Sequence, residues 1–155
     1  MFSHTLIVMA HSDDEILGYG GLLAKHSKPR SFRVLFLAES SSYRYDMPKI
    51  ELYKSAIAER EKSAKETLSI FVTENFHFMD LPHRRFDQFP ILELNKIIEH
   101  HTSDFKPSTI LTHSEYDTNS DHRKVAESIL MATPPGALNI VSKVPGVEIS
   151  SLGFR

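Results

Sequence analysis

The sequence predicts one α/β domain with a mostly parallel sheet and helices on both faces of that sheet. Apolar segments with strand character alternate along the chain with longer segments in which apolar residues recur at helical spacing. The first strand segment, residues 5–10, is apolar almost throughout, which is typical of a strand covered on both faces. The composition agrees, because 155 residues with 41% hydrophobic and 25% charged side chains suit a globular domain with a sizeable core.

Each strand is predicted from a short apolar run, and the last run begins after Pro107, which ends the preceding helix. In chain order the strands are residues 5–10, 32–38, 75–79 and 108–112. The first helix is indicated by Ser12 and, three residues later, Glu15, which fit a capping box, and the others by apolar residues three and four positions apart. In chain order the helices are about residues 15–26, 48–68, 89–101 and 121–131. Four such units predict a single Rossmann-like domain over residues 1–155, in which residues 132–155 form a short, atypical tail with one more strand near 147–149.

The charge and composition exclude several classes of function. The formal net charge is −2, from 18 basic and 20 acidic residues, so no general basic field attracts nucleic acid or anionic lipid. The absence of cysteine excludes a disulfide framework and thiolate metal ligands. No apolar run approaches the roughly 20 residues of a transmembrane segment, and residues 1–11 lack signal-peptide features. We therefore expect a cytoplasmic protein that recognises its partners at a local site.

Two clusters of histidine and carboxylate residues follow strands of the predicted sheet. Residues 11–15, His-Ser-Asp-Asp-Glu, come after the first strand, and residues 113–122, which begin and end with histidine, come after the fourth. In an open parallel sheet, ligands bind outside the carboxyl ends of the strands, so both clusters are expected at the same edge. The nine histidines of the chain are also more than packing alone requires.

Each cluster also has a simpler interpretation when it is taken alone. Residues 12–15 can serve as a helix N-terminus, where acidic side chains complement the helix dipole. A histidine such as His122 is more often an ordinary surface or core residue than a ligand. Neither interpretation explains His11, or why two such clusters occur at one edge of the sheet.

The two clusters together favour a divalent metal ion. Imidazole and carboxylate ligands suit Zn²⁺, and a catalytic site has three protein ligands and an open position. His11, Asp14 and His122 would form such a set, and a bound ion lowers the pKa of water toward ~7. Asp13, next to a ligand, is the candidate general base. The ligands would also accept Fe²⁺, Co²⁺ or Ni²⁺.

These residues carry a family resemblance. Residues 10–15, Ala-His-Ser-Asp-Asp-Glu, resemble the Ala-His-Pro-Asp-Asp-Glu signature of the PIG-L or LmbE-like zinc-dependent N-acetylglucosaminyl deacetylases. Residues 117–123 resemble the second motif of that family, in a variant found among members thought to act on sugars for cell-surface polysaccharide. The resemblance implies zinc ligands His11, Asp14 and His122 and, as general base and then acid, Asp13. The implied reaction is hydrolysis of the acetamido group of an N-acetylated amino sugar or its conjugate, and the family also allows a homo-oligomer.

Other site residues are predicted with less specific signals. Asn119 stands where many relatives have a histidine that stabilises the tetrahedral intermediate, and it is either a neutral donor there or a turn residue. Asp121 either orients a ligand or caps the helix that follows. The predicted substrate-binding residues are Arg60, from the helix after strand two, and Asp80, Arg85 and Asp87, from a loop after strand three. Glycines 18, 20 and 21 are expected where the first helix packs closely on the sheet.

Two alternatives stay open at this point. The chain is a metal-binding module with little catalysis, or it hydrolyses an amide or ester other than an acetylated sugar. Family members usually continue with further strands past this region, so a truncated or minimal member is also expected.

Overall fold

The computed structural model describes residues 4–26, 32–39, 41, 50–71, 75–133 and 146–147. Strands and helices alternate through these residues. In chain order they are β1 (Thr5–Met9), α1 (Asp14–His26), β2 (Phe32–Ala38), α2 (Ile50–Ile70), β3 (Phe76–Leu81), α3 (Ile91–Phe105), β4 (Thr109–His113), α4 (Ser120–Ala132) and β5 (Gly146–Val147). No helix among these residues is long and apolar enough to cross a membrane.

The five strands form one sheet in the order β3-β2-β1-β4-β5. Every pairing is parallel, and β1 lies at the centre between β2 and β4. All carboxyl ends therefore point to one edge, and the order reverses between β1 and β4, where an open sheet leaves a crevice. The predicted α/β class and parallel sheet are confirmed.

Alternate side chains of β1 enter two separate cores. Leu6 and Val8 pack on one face with residues of α3 and α4, including Leu94 and Val125. On the other face Ile7 and Met9 pack with residues of α1 and α2, which include Leu23, Ala64 and Leu68. Helices on both faces explain why β1 is fully buried and apolar at nearly every position.

Four of the predicted strands have other boundaries in the structure, and the differences at β1 and β4 are no more than a single residue at either end. β3 continues to Leu81, two residues beyond the prediction, because Leu81 pairs with Ala38 of β2 after an irregularity in the register. This places Asp80 on the strand rather than in the following loop. β5 contains Val147 but is only two residues long in the described part of the tail, and residues 148–149 lie outside it.

The prediction that the glycines of α1 allow close packing on the sheet is wrong for Gly20 and Gly21. A Cβ added at Gly20 would come no closer than 3.5 Å to Ile16, and one at Gly21 would meet no atom within 4 Å. Close packing on the sheet therefore requires neither glycine.

Candidate metal centre

The crevice between β1 and β4 brings the two histidine–carboxylate clusters together. The backbone N–H of Ala10, which follows β1, donates to Nε2 of His113 at the end of β4 over 2.8 Å. Beyond this contact, His11 and His122, 111 residues apart in the chain, place Nδ1 and Nε2 3.3 Å from each other. Both histidines are buried. The expected convergence of the two clusters is present.

Three donor atoms form a nearly equilateral triangle. Oδ2 of Asp14 lies 3.4 Å from Nδ1 of His11 and 3.3 Å from Nε2 of His122, and the two nitrogens are 3.3 Å apart. Ligands about 2.0–2.1 Å from a tetrahedral Zn²⁺ are separated by about 3.3 Å. His11, Asp14 and His122 therefore fit one face of a tetrahedral divalent ion, with the fourth position left for water or substrate.

A second carboxylate forms a hydrogen bond with each imidazole of the triangle. Nε2 of His11 donates to Oδ2 of Asp121 over 3.0 Å, and Nδ1 of His122 donates to Oδ2 of Asp117 over 3.0 Å. With a proton on the outer nitrogen of each ring, the inner nitrogen presents its lone pair toward Asp14. Carboxylate–histidine pairs of this kind orient metal ligands and raise their basicity.

The electrostatics of the cluster favour a positive charge. Burial lowers the pKa of His11, but hydrogen bonds with Asp121 and Asp14 outweigh that effect and raise it to about 9. The pKa of His122 is also raised, since contacts with Asp14 and Asp117 outweigh burial. The same imidazoles overcome burial at Asp14 and hold the pKa of its carboxyl well below the usual range. The carboxylates thus stabilise positive charge at the imidazoles, and a bound cation would supply that charge in place of a proton.

Asp13 differs from its neighbour Asp14. Its side chain is 57% exposed, and Oδ2 lies 3.6 Å from Nη1 of Arg60 on α2. Partial burial and the adjacent Asp14 carboxylate raise the pKa of Asp13. Asp13 thus borders the ligand triangle as a more basic carboxylate, and the predicted substrate-binding residue Arg60 is next to it.

The remaining predicted residues have diverse surroundings. Asn119 is the N-cap of α4, and its side-chain oxygen accepts from the backbone N–H of Asp121 over 3.0 Å. The carboxylate of Asp121 instead accepts from Nε2 of His11, so the cap belongs to Asn119 and not to Asp121. Asp80, Arg85 and Asp87 are exposed, the first on β3 and the other two on the loop that follows it. Their contacts with substrate stay predictions.

Two histidines of the site were not predicted as site residues. His83, from the loop after β3, stacks on His11 with ring centroids 4.0 Å apart, and His113 stacks on His122 at 3.8 Å. Burial lowers the pKa of both to about 3. Their sequence signal is their position at the carboxyl edge of the sheet, where His113 ends β4 and His83 follows β3.

A second group of possible ligands, His113, Asp117 and His122, lies beside the first. Nε2 of His113 accepts from Ala10 and Oδ2 of Asp117 accepts from Nδ1 of His122, whereas the two ring nitrogens of the first triangle face each other and Oδ2 of Asp14. We therefore take the first triangle as the better candidate metal site.

Solved structures share this fold. An N,N'-diacetylchitobiose deacetylase from Pyrococcus horikoshii, solved with an inhibitor, superposes with a TM-score of 0.68 at 17% identity, over 84% of this chain and 49% of that one. The zinc-inhibited form of a teicoplanin deacetylase gives 0.67 at 15% identity, over 83% and 62%. A 4-carboxy-2-hydroxymuconate hydratase from Pseudomonas putida KT2440 gives 0.56 at 22% identity, over 92% and 63%.

The chain therefore spans about half to two thirds of the length of these proteins, and at such identities the likeness establishes the fold alone. No curated protein matches it significantly. The family model PIG-L, described as GlcNAc-PI de-N-acetylase, matches residues 6–133, which include both strand-end clusters. A match over most of the sequence, with the ligand triangle inside it, makes this chain a member of the PIG-L family.

Proposed function

We propose that this chain is a metal-dependent N-deacetylase that hydrolyses the acetamido group of an N-acetylated amino sugar or its conjugate. The observation that carries the proposal is the triangle of His11, Asp14 and His122 with the basic carboxylate of Asp13 at its border. The family description and the activities of two structural neighbours agree with removal of an acetyl group. Acetylated sugars are the substrate class that these names suggest.

The three ligands would hold Zn²⁺, or another borderline divalent ion with the same preferences. When bound, such an ion supplies Lewis acidity, which makes water acidic near neutral pH and polarises a carbonyl oxygen. Asp117 and Asp121 keep the outer nitrogens of the two imidazoles protonated, so the inner nitrogens stay available to the ion.

Asp13 is the proposed general base. Its raised pKa makes it a better proton acceptor than an ordinary aspartate, and its exposure leaves it open to substrate. It takes a proton from the water that attacks the acetamido carbon. It then gives that proton to the departing nitrogen as the C–N bond breaks, which yields acetate and a free amine. Arg60 lies beside the Asp13 carboxylate, and this position supports its proposed role in substrate binding.

The test separates metal binding from turnover. Wild type, Asp13→Asn and His122→Ala are compared for metal content and for acetate released from N-acetylglucosamine-type substrates. Asp13→Asn is expected to retain about one ion per chain and to lose about 10²–10⁴-fold in turnover, the usual contribution of a general base. His122→Ala is expected to lose the ion. Equal activity in all three proteins contradicts the proposal.

The same measurements address the alternatives. A metal-binding module would hold the ion in wild type without turnover of any acetylated sugar. A hydrolase of another amide or ester would release its product from a broader panel of substrates, in an Asp13-dependent manner. The hydratase among the structural neighbours is the reason to make that panel broad. The cytoplasmic location, the role in polysaccharide synthesis and the homo-oligomer stay predictions.

A further inference from the structure

Four imidazoles form a continuous row across the site. His83 stacks on His11 with ring centroids 4.0 Å apart and 25° between the planes. His11 is followed by His122 at 5.2 Å, and His122 by His113 at 3.8 Å. The two inner rings belong to the ligand triangle, whereas His83 is outside it and has no role in the proposed reaction.

The loop that carries His83 is anchored by the carboxylates of Glu39 and Asp121. His83 is only 8% exposed, and its backbone N–H donates to Oε1 of Glu39, which follows β2, over 3.0 Å. The next residue, Arg84, has a φ of 60°, a left-handed conformation that costs an ordinary residue about 1 kcal/mol or more. With this conformation at Arg84, the backbone N–H groups of Arg84 and Phe86 both donate to the carboxylate of Asp121.

The loop therefore reaches His11 by two routes. Through Asp121 it fixes the Nε2 end of the ring, and through the stacked ring of His83 it covers one face. A ring held at one nitrogen alone can still tilt about its hydrogen bond. Contact over a face opposes that tilt and keeps Nδ1 directed at Asp14.

We propose that His83 is a positioning residue of the metal centre, which fixes the ring plane of His11 by stacking. This inference rests on the proposed metal site. The stacked ring acts through its flat surface, so an aromatic ring without nitrogens should replace it.

The experiment measures metal affinity directly, without turnover. Full-length wild type, His83→Ala, His83→Phe and His101→Ala are checked for folding by circular dichroism, and the Kd for Zn²⁺ and Co²⁺ is determined by competition with a chelator. His83→Ala is expected to bind both ions about 10- to 100-fold more weakly and to alter the visible Co²⁺ spectrum, whereas His83→Phe stays within about threefold of wild type. His101→Ala, which removes an equally buried imidazole far along α3, controls for general loosening and should leave the Kd unchanged.

The outcomes distinguish the two proposals. If wild type fails to bind either ion, the metal centre itself is refuted, and the role of His83 with it. If wild type binds but His83→Ala keeps its Kd and spectrum, only the role of His83 is refuted. If His83→Phe is weakened as much as His83→Ala, a ring nitrogen is responsible and stacking is not.

Discussion

At the level of single residues, Asp121 shows how one carboxylate organises the site. It is fully buried and accepts three hydrogen bonds, from Nε2 of His11 and from the backbone N–H groups of Arg84 and Phe86. These bonds outweigh the effect of burial and lower the pKa of Asp121. The residue thus connects a predicted ligand to a loop distant in sequence.

Replacing Asp121 by asparagine should weaken metal binding without removing a ligand. The variant keeps the size of the side chain but exchanges one acceptor oxygen for a donor, so His11 loses support for its tautomer. We expect a Kd for Zn²⁺ about 10- to 100-fold higher, measured by chelator competition. Asp80→Asn, at an exposed carboxylate on β3, is the control and should bind as wild type does. Unchanged affinity in Asp121→Asn would show that His11 needs no such partner.

The sequence could predict which donor residues converge but not all of their hydrogen-bond partners. His11, Asp14 and His122 stand directly after strands or within a motif, so pattern alone selected them as candidates, and their role as ligands stays a prediction. For Asp121 the pattern left two roles open, because a helix N-terminus and a ligand support use the same residue type. His83 was not predicted as a site residue, because its stacking on His11, 72 positions earlier in the chain, depends on the conformation of the loop that carries it.

Among the elements, α1 differs from the other helices in its glycines. Three of the residues of Asp14–His26 are glycine, and a side chain at Gly21 would point into open space. Glycine in a helix interior raises the entropic cost of folding. Their presence therefore weakens α1, which supplies both Asp14 and the buried Leu23.

Gly21→Ala should consequently stabilise the protein. Because the added methyl group meets no atom within 4 Å, only the helix propensity changes. We expect the free energy of unfolding to rise by about 0.5–1 kcal/mol, measured by urea denaturation. Ala24→Gly, three residues further along the exposed part of the same helix, should lower it by a similar amount. A decrease in Gly21→Ala would mean that α1 packs more closely than the structure indicates.

Element types were predictable, whereas some ends were not. Among the described residues up to 132, apolar runs and periodicity predicted the strands and helices α2, α3 and α4, since both sheet faces are covered and the pattern is strong, and a capping box predicted α1. The end of β3 was predicted two residues early, because its last pair with β2 follows an irregularity in the register. Such a shift depends on the neighbouring strand, which a local pattern does not contain.

For the molecule as a whole, acid sensitivity is expected away from the metal site. His101 on α3 is buried beside His77 and His100, and burial together with the neighbouring charge of His77 lowers its pKa to about 4. The imidazole of His101 binds a proton near pH 6.5 in the unfolded chain but only near pH 4 in the folded chain. Above pH 6.5 it is neutral in both states, and as the pH falls below that value, protonation of the unfolded chain lowers the free energy of unfolding.

We expect this residue to lower the free energy of unfolding by up to about 3 kcal/mol between pH 7 and pH 4. His101→Asn keeps a polar side chain of similar shape but does not titrate, so its unfolding free energy should decrease less over this range. Urea denaturation of both proteins at a series of pH values gives the difference. Parallel curves for the two proteins would contradict the assignment to His101.

The order of the strands also affects how the protein is made. The two parts of the triangle of His11, Asp14 and His122 follow β1 and β4, which lie side by side in the sheet although five other described elements separate them in the chain. During synthesis, the N-terminal histidine and aspartate leave the ribosome long before His122 exists. The three donor atoms of the proposed metal site can therefore come together only after α4 has been made, and a fragment that ends before α4 would lack the donor of His122.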